Sequence, residues 1–354
     1  MANNRILIGA EALFVGSGLA TGLQPSGGHK QLHRVQNFSY DFSIPLENVV
    51  QAGDIAPIDQ LQVNPTTVNF NSSYLATNVY NESGLGLYVG GDQSALKNIL
   101  DGSQGDKNYF VRVAPDGNSA NGYTGTDGGV YGFGNAVLAS YQARGAVGGF
   151  PTAEFTLEAL NMTFTNTTIN IDSPAIDPTT GIPVTGIVTS IPTSSTGLAG
   201  QPTALKPGNI TVNLNGGGFA MGNVCLQSYN LSFNLNLEPQ ICLGSDYPAN
   251  RLIKFPVDCK FSVEAQVKDM GTGNLASLKC GVPAYDMSVT LRKPTCDGTL
   301  GAVQAFYSIK GAKLEGQQFS DSQGSNKTVT LNFTTQIGSA QQLTKGLFIS
   351  GSLV

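Results

Sequence analysis

At 354 residues the chain is long enough for two ordinary domains, each with its own core. Hydrophobic residues make up 40% and charged residues 12%, about half the usual quarter, with a formal net charge of -5. These values exclude a highly charged disordered chain and a basic nucleic-acid binder.

The low-charge exterior, rich in Asn, Ser, Thr and Gly, fits a surface largely covered by neighbours; a soluble β protein with a polar, uncharged exterior has the same composition. Charge is uneven along the chain. Residues 1–180 carry 7 Lys/Arg and 15 Asp/Glu, residues 181–354 carry 12 and 9. An acidic half and a mildly basic half attract if they meet in an oligomer.

The apolar opening is interrupted by glycines and Glu11, is too short to span a bilayer and has no convincing cleavage region, so neither a secretion signal nor a membrane segment is expected. Nine Asn-x-Ser/Thr triplets are then explained by the abundance of those residues. From Phe38 through Tyr40, Phe42, Ile44 and Leu46, apolar residues alternate with other positions, which predicts a strand buried on one face. Val68, Phe70, Tyr74 and Ala76 continue as a second strand. Residues 92–102, with an acidic start and Gly102 at the end, predict a short helix. Strands follow at 109–113, near 136–143 and across 153–164.

Residues 172–207 differ in character, holding six of the 17 prolines among Thr, Ser and Gly, and predict a semi-stiff connector. Alternation resumes at Ile210-Thr-Val-Asn-Leu214. The expected organisation is therefore a first domain over 1–171, a connector over 172–207 and a second domain over 208–354.

Residues 35–70, shifted by 191 positions, fall without a gap on residues 226–261. Nine of these 36 positions are identical, where chance gives roughly two; among them are Phe42/Phe233, Leu46/Leu237, Glu47/Glu238, Pro57/Pro248 and Phe70/Phe261. Tyr229, Leu231, Phe233, Leu235 and Leu237 alternate in the same phase as their partners, so strand register and face both repeat. Later elements repeat in order: a helix at 274–281, then strands at 287–292, 303–314 and 327–335. The chain reads as an internal duplication.

Residues with chemical capacity form no catalytic constellation. His29 and His33 are the only histidines; their i, i+4 spacing would suit zinc on a helix, but Gly27 and Gly28 precede them and no third ligand is near, which favours a polar loop. Gly132-Phe-Gly134 and Asn215-Gly-Gly-Gly218 lack the Lys-Ser/Thr of a phosphate loop and read as turns or close backbone contacts. Glu154 and Glu158 share one face of a strand, but the chain has no tryptophan to grip a sugar. The five cysteines, all between 225 and 296, include no Cys-x-x-Cys pair, so zinc is not expected and buried free thiols are. No enzyme activity, metal or cofactor is expected.

The runs Ser228-Tyr-Asn-Leu-Ser-Phe-Asn-Leu235, Leu243-Gly-Ser-Asp-Tyr-Pro248 and Phe255-Pro-Val-Asp-Cys-Lys-Phe-Ser-Val263 resemble the tail tube proteins of long-tailed bacteriophages. So do Phe306–Gly316 and Lys327–Phe333. The resemblance spans about 209–340 and, through the repeat, extends weakly over 1–165. It implies a mainly β chain of two tandem β-sandwich or small-barrel domains, each with a short flanking helix, whose antiparallel sheets continue between subunits. It further implies six-fold rings, stacked into a tube that conducts DNA without specific binding, in a virion tail assembled in the host cytoplasm. With two domains per chain, three chains would complete a pseudo-hexameric ring. The expected partners are other copies of the chain, with sheath, terminator and baseplate proteins. Phe42, Ile44, Leu46 and Phe70, with Phe233, Leu235, Leu237 and Phe261, are the candidate oligomerisation residues. A virion decoration or adhesin module that binds a surface is the alternative of another class.

Overall fold

The computed structural model describes residues 11–17, 29–121, 123, 125, 127–168, 171–177, 180–184, 188–189, 191, 205, 207–215, 224–243, 246–267, 284–295, 299, 301–320 and 328–353. It is mainly β, and its strands run in the same order twice.

The first unit holds β1 (Glu11–Ser17), β2 (Lys30–Gln31), β3 (Val35–Ser43), β4 (Leu46–Val49), β5 (Asp59–Gln62) and β6 (Thr67–Leu75). Helices α1 (Tyr80–Gly84) and α2 (Lys97–Leu100) follow, then β7 (Lys107–Val113), β8 (Gly129–Ala146), β9 (Thr152–Ala159) and β10 (Asn161–Thr165). After the short pair β11 (Ile171–Asp172) and β12 (Val188–Thr189), the second unit repeats the plan. It comprises β13 (Ile210–Asn215), β14 (Val224–Asn234), β15 (Leu237–Gln240), β16 (Asn250–Ile253), β17 (Val257–Val267), β18 (Tyr285–Arg292), β19 (Val303–Ser320), β20 (Thr328–Ile337) and β21 (Gly346–Gly351).

The shift of 191 seen in the sequence carries β4 onto β15 and β5 onto β16, end to end, and superposes the pairings β3–β6 and β14–β17. Farther on the shift changes because loop lengths differ. Val137 opposite Glu158 answers Lys313 opposite Thr334, which puts 176 positions between β8 and β19 and between β9 and β20.

Each unit is two sheets sharing one long strand. One sheet contains β1, β7, β8 and β10, answered by β13, β18, β19 and β21. In the other, β3, β6, β9 and the second half of β8 are answered by β14, β17, β20 and the second half of β19. The shared strand changes sheets at Asn135 (φ +49) in β8 and at Gly311 (φ +68) in β19, positions 176 apart. A left-handed residue there re-aims the strand, and glycine or asparagine takes that conformation at least cost.

Alternation decides what lies between the sheets. Phe155 and Leu157 of β9, and Leu331 and Phe333 of β20, point into the core, while Glu154, Thr156, Thr330 and Asn332 point out. Phe70 and Phe133 pack with ring centroids 4.9 Å apart. The core is continuous through both units.

Several sequence expectations take a different form here. The helix expected over 92–102 narrows to α2, and α1 is an addition. The second expected helix, 274–281, lies outside the described residues, as do Gly216 to Gly218. Of the two readings for Gly132 and Gly134, a turn or a close backbone contact, the second holds: both lie inside β8, and a Cβ at Gly134 would sit 1.9 Å from the carbonyl oxygen of Pro174, so glycine lets the chain after β11 lie directly on the strand. Where the connector is described, Ala175, Ile176, Ile191 and Leu205 are buried, so those parts are packed rather than spanning solvent.

Candidate assembly interface

The two units meet edge to edge. β14 pairs antiparallel with the second half of β8, from Ser228 opposite Ala146 to Asn234 opposite Ser140. This ladder makes the two second sheets one sheet of eight strands, in the order β3-β6-β9-β8-β14-β17-β20-β19. On its inner face Tyr141 stacks on Phe233 at 5.8 Å. On its outer face the Gln142 amide donates to Asn230 Oδ1 at 2.9 Å.

Three further contacts clasp the junction. Ala95 N donates to Leu347 O at 2.6 Å and Ser94 N to Leu343 O at 2.9 Å, seating the α1–α2 segment over β21. The β15–β16 arm reaches back to the first unit through Arg251. Its guanidinium donates to Glu158 O at 2.6 Å and to the carbonyl of Asn135, and forms an ion pair with Asp106 at 3.2 Å. The Arg251 side chain is buried, which lowers its pKa, while the neighbouring Asp106 and Glu158 carboxylates oppose that shift.

The third contact is a buried carboxylate. Tyr74 and Tyr141 of the first unit and Tyr307 of the second each donate to Glu82 Oε1, at 2.9, 2.8 and 2.9 Å. Burial raises the Glu82 pKa while the three hydroxyls oppose the rise; burial and the Glu82 charge push the tyrosines well above their usual range. Nothing in the sequence pattern singles out Glu82 beyond a charge beside the apolar positions Val79 and Leu85.

At the two ends of the eight-stranded sheet, no described residue covers the equivalent surfaces. β3 corresponds to β14, yet Phe42 is 57% exposed where Phe233 is 3%, and Ile44 is exposed where Leu235 is buried. β10 corresponds to β21, and Phe164 is 62% exposed where Ile349 is fully buried. At the opposite end Phe319 of β19 is exposed where Ala143 of β8 is buried.

The eight residues singled out in the sequence thus divide. Phe42, Ile44 and Leu46 are exposed at the open end; Phe233 and Leu235 are buried beside the junction, and Leu237 is half-buried. Phe70 and Phe261 are a correction: both are closed inside their own unit and offer nothing to another chain, because alternation marks the buried face without telling an internal core from an interface.

The histidines also depart from expectation. His29 meets the Phe110 ring edge-on and His33 stacks on Tyr80 at 4.3 Å, both buried rather than in a polar loop, and burial lowers both pKa values. Of the cysteines, Cys259 is buried as expected, but Cys225 and Cys242 are exposed free thiols; Cys280 and Cys296 lie outside the described residues. Among the described residues no group of three or more His, Cys, Asp or Glu is placed to hold a metal, and no helix is long and apolar enough to cross a membrane.

No family model and no curated protein matches the chain. Solved structures do. A chain of the anti-feeding prophage baseplate, resolved with six-fold symmetry, matches 36% of this chain and 92% of its own length, at 15% identity and a TM-score of 0.25. An Hcp protein matches 40% of this chain and 98% of its own, at 9% identity and a TM-score of 0.22. Hcp1 from Flavobacterium johnsoniae matches 36% and 95%, at 13% identity and a TM-score of 0.20.

Proposed function

We propose that this chain is a structural virion protein that polymerises into stacked rings forming a phage tail tube, with three chains making each pseudo-hexameric ring. One observation carries the reading. The apolar side chains that the second unit buries against the first have exposed counterparts in the first unit, and the strand that would receive them, the end of β19, is paired among the described residues on its β20 side alone. Both half-junctions are present on every chain, so the contact is heterologous: it closes into a ring where the rotation allows and otherwise continues as a filament. Pairing also covers the outer edges of β3 and of the end of β19, which pair with no other strand among the described residues and would otherwise invite unspecific aggregation.

The eight-stranded sheet is the wall in this reading. One of its faces is covered by core and by the first sheet of each unit, β1-β7-β8-β10 or β13-β18-β19-β21, so the uncovered face lines the lumen. That face carries amides and hydroxyls such as Asn71, Ser73, Gln142, Asn230, Thr330 and Asn332. Its cations, Arg144, Lys260 and Lys313 among the described residues, stand among a larger number of carboxylates, and Arg144 is already paired with Glu154. Without a net positive field the wall does not hold phosphates by counterion release, so DNA can slide through it.

Electron microscopy of the purified protein tests this reading. Long hollow tubes of uniform width are expected. A particle that stays a monomer or a small closed oligomer at high concentration would instead indicate a decoration or adhesin module.

A further inference from the structure

The junction inside the chain is a template detailed enough to fix the contact between chains. We infer that β3 of one copy pairs antiparallel with the end of β19 of a second copy, and that the β4–β5 arm clasps the second copy through Gln60. This rests on the polymer reading above and adds to it the partner surface, the register and the residue that replaces Arg251.

The register follows from the two shifts. Moving β14 back by 191 and β8 forward by 176 turns Phe233 opposite Tyr141 into Phe42 opposite Gln317. The same operation sets Asp41 opposite Gln318, Tyr40 opposite Phe319 and Ser43 opposite Gly316. Faces agree throughout. Gln317 and Phe319 stand across from Leu331 and Val329 on the core side of β20, and Tyr40 and Phe42 continue that side; Asp41 and Gln318 share the polar side. Pairing would therefore put Phe42, Tyr40 and Phe319, all exposed in the single chain, into one apolar seam.

Backbone groups agree as well. Leu235 N donates to Ala139 O at 2.7 Å, and Val147 N donates to Gln227 O at 2.8 Å. Odd-numbered residues of β14 thus direct their backbone groups at β8, and their counterparts Phe38, Tyr40, Phe42 and Ile44 direct theirs at the open side of β3.

The arm supplies an independent observation. Arg251 corresponds to Gln60, the carbonyls of Asn135 and Glu158 to those of Gly311 and Thr334, and Asp106, counted from β7 to β18, to Ala284. Where the arginine is absent, its acidic partner is absent too. The Gln60 amide, which donates to Asn48 Oδ1 at 2.8 Å in the single chain, has N–H groups to offer the two carbonyls, and the carboxylate beside Gly311, that of Asp286, is already satisfied by accepting from Gly311 N at 2.9 Å. Had Asp106 been matched by another acid, the arm would bury a lone charge. The contact between chains is accordingly non-ionic where the one within the chain holds an ion pair.

Disulfide trapping tests the register in the full chain, with every native cysteine except buried Cys259 replaced by serine. Asp41 and Gln318 correspond to Ser232 and Gln142, a pair that exchanges no backbone hydrogen bonds and so brings side chains close. Asp41→Cys with Gln318→Cys should give covalent ladders of dimers and trimers on mild oxidation of assembled material. Ser39→Cys with Gln318→Cys, displaced by two residues, should give less than a tenth of that yield. In tubes without trapping, Gln60→Arg with Ala284→Asp should assemble as readily as the native chain at low salt, while Gln60→Arg alone assembles less well.

Tubes that form but cross-link only through the displaced pair, or through neither, would overturn the register while leaving the tube reading intact. Tubes indifferent to every change at Gln60 would overturn the clasp. Absence of any polymer from the serine-substituted chain and from the native chain alike would overturn both readings together.

Discussion

Phe233→Ala should destabilise the isolated chain by about 3–5 kcal/mol, the usual cost of emptying an aromatic site in a packed core. Phe233 is buried, stacked on Tyr141 and enclosed by β8 on one side and β17 on the other. Phe42→Ala removes the same side chain from the same place in the duplicated unit, yet should change the isolated chain by less than about 0.5 kcal/mol, as exposed substitutions commonly do. In the assembled particle the asymmetry should vanish, with Phe42→Ala raising the concentration needed for polymerisation a hundredfold or more, equivalent to about 3 kcal/mol per contact. Urea unfolding of the monomer and sedimentation of the polymer measure the two halves. Equal losses of monomer stability at both positions would show that Phe42 is covered within its own chain and would remove the open half-junction.

The second large effect is expected at Glu82. Glu82→Ala leaves three buried tyrosine hydroxyls without their acceptor and opens a cavity between the units, which should cost about 3 kcal/mol or more. Because the folded-state pKa of Glu82 is raised, folding favours its protonated form. Its stability contribution is full below the ordinary value of 4.5 and falls as pH rises from there through the folded value. The stability gap between the native chain and Glu82→Gln, which stays neutral, should therefore shift in favour of the glutamine variant between pH 4 and pH 8. Urea midpoints at several pH values provide the check; a gap moving the other way would mean that the three hydroxyls hold the carboxylate charged against burial. Tyr307→Phe should affect cooperativity more than Tyr74→Phe, since Tyr307 alone among the three belongs to the second unit.

The duplication was legible where strand and turn lengths are conserved. Over 35–70 and 226–261 a single shift holds, because the β4–β5 and β15–β16 arms have the same length and the flanking strands the same phase. Beyond β6 the loops differ in length, so β8 and β19 match in structure at a shift that no scan at 191 detects. The assembly residues were legible only in part. Phe42 and Phe233 are identical in type and in strand phase, and what separates them is whether another unit lies alongside, which is a property of tertiary context. Arg251 and Glu82 carried no periodic signal: each is a single polar residue whose role comes from partners more than 50 positions away in the chain, Tyr141 and Tyr307 for Glu82 and Glu158 for Arg251.

Three-dimensional reconstruction of the assembled particle addresses the account at its centre. It should show three chains per ring around a closed wall of twenty-four strands, eight from each, with Tyr40 and Phe42 of every copy against Gln317 and Phe319 of the next. A ring of six separate chains, or one in which β3 and the end of β19 both face solvent, would contradict the idea that the contact within the chain is repeated between chains.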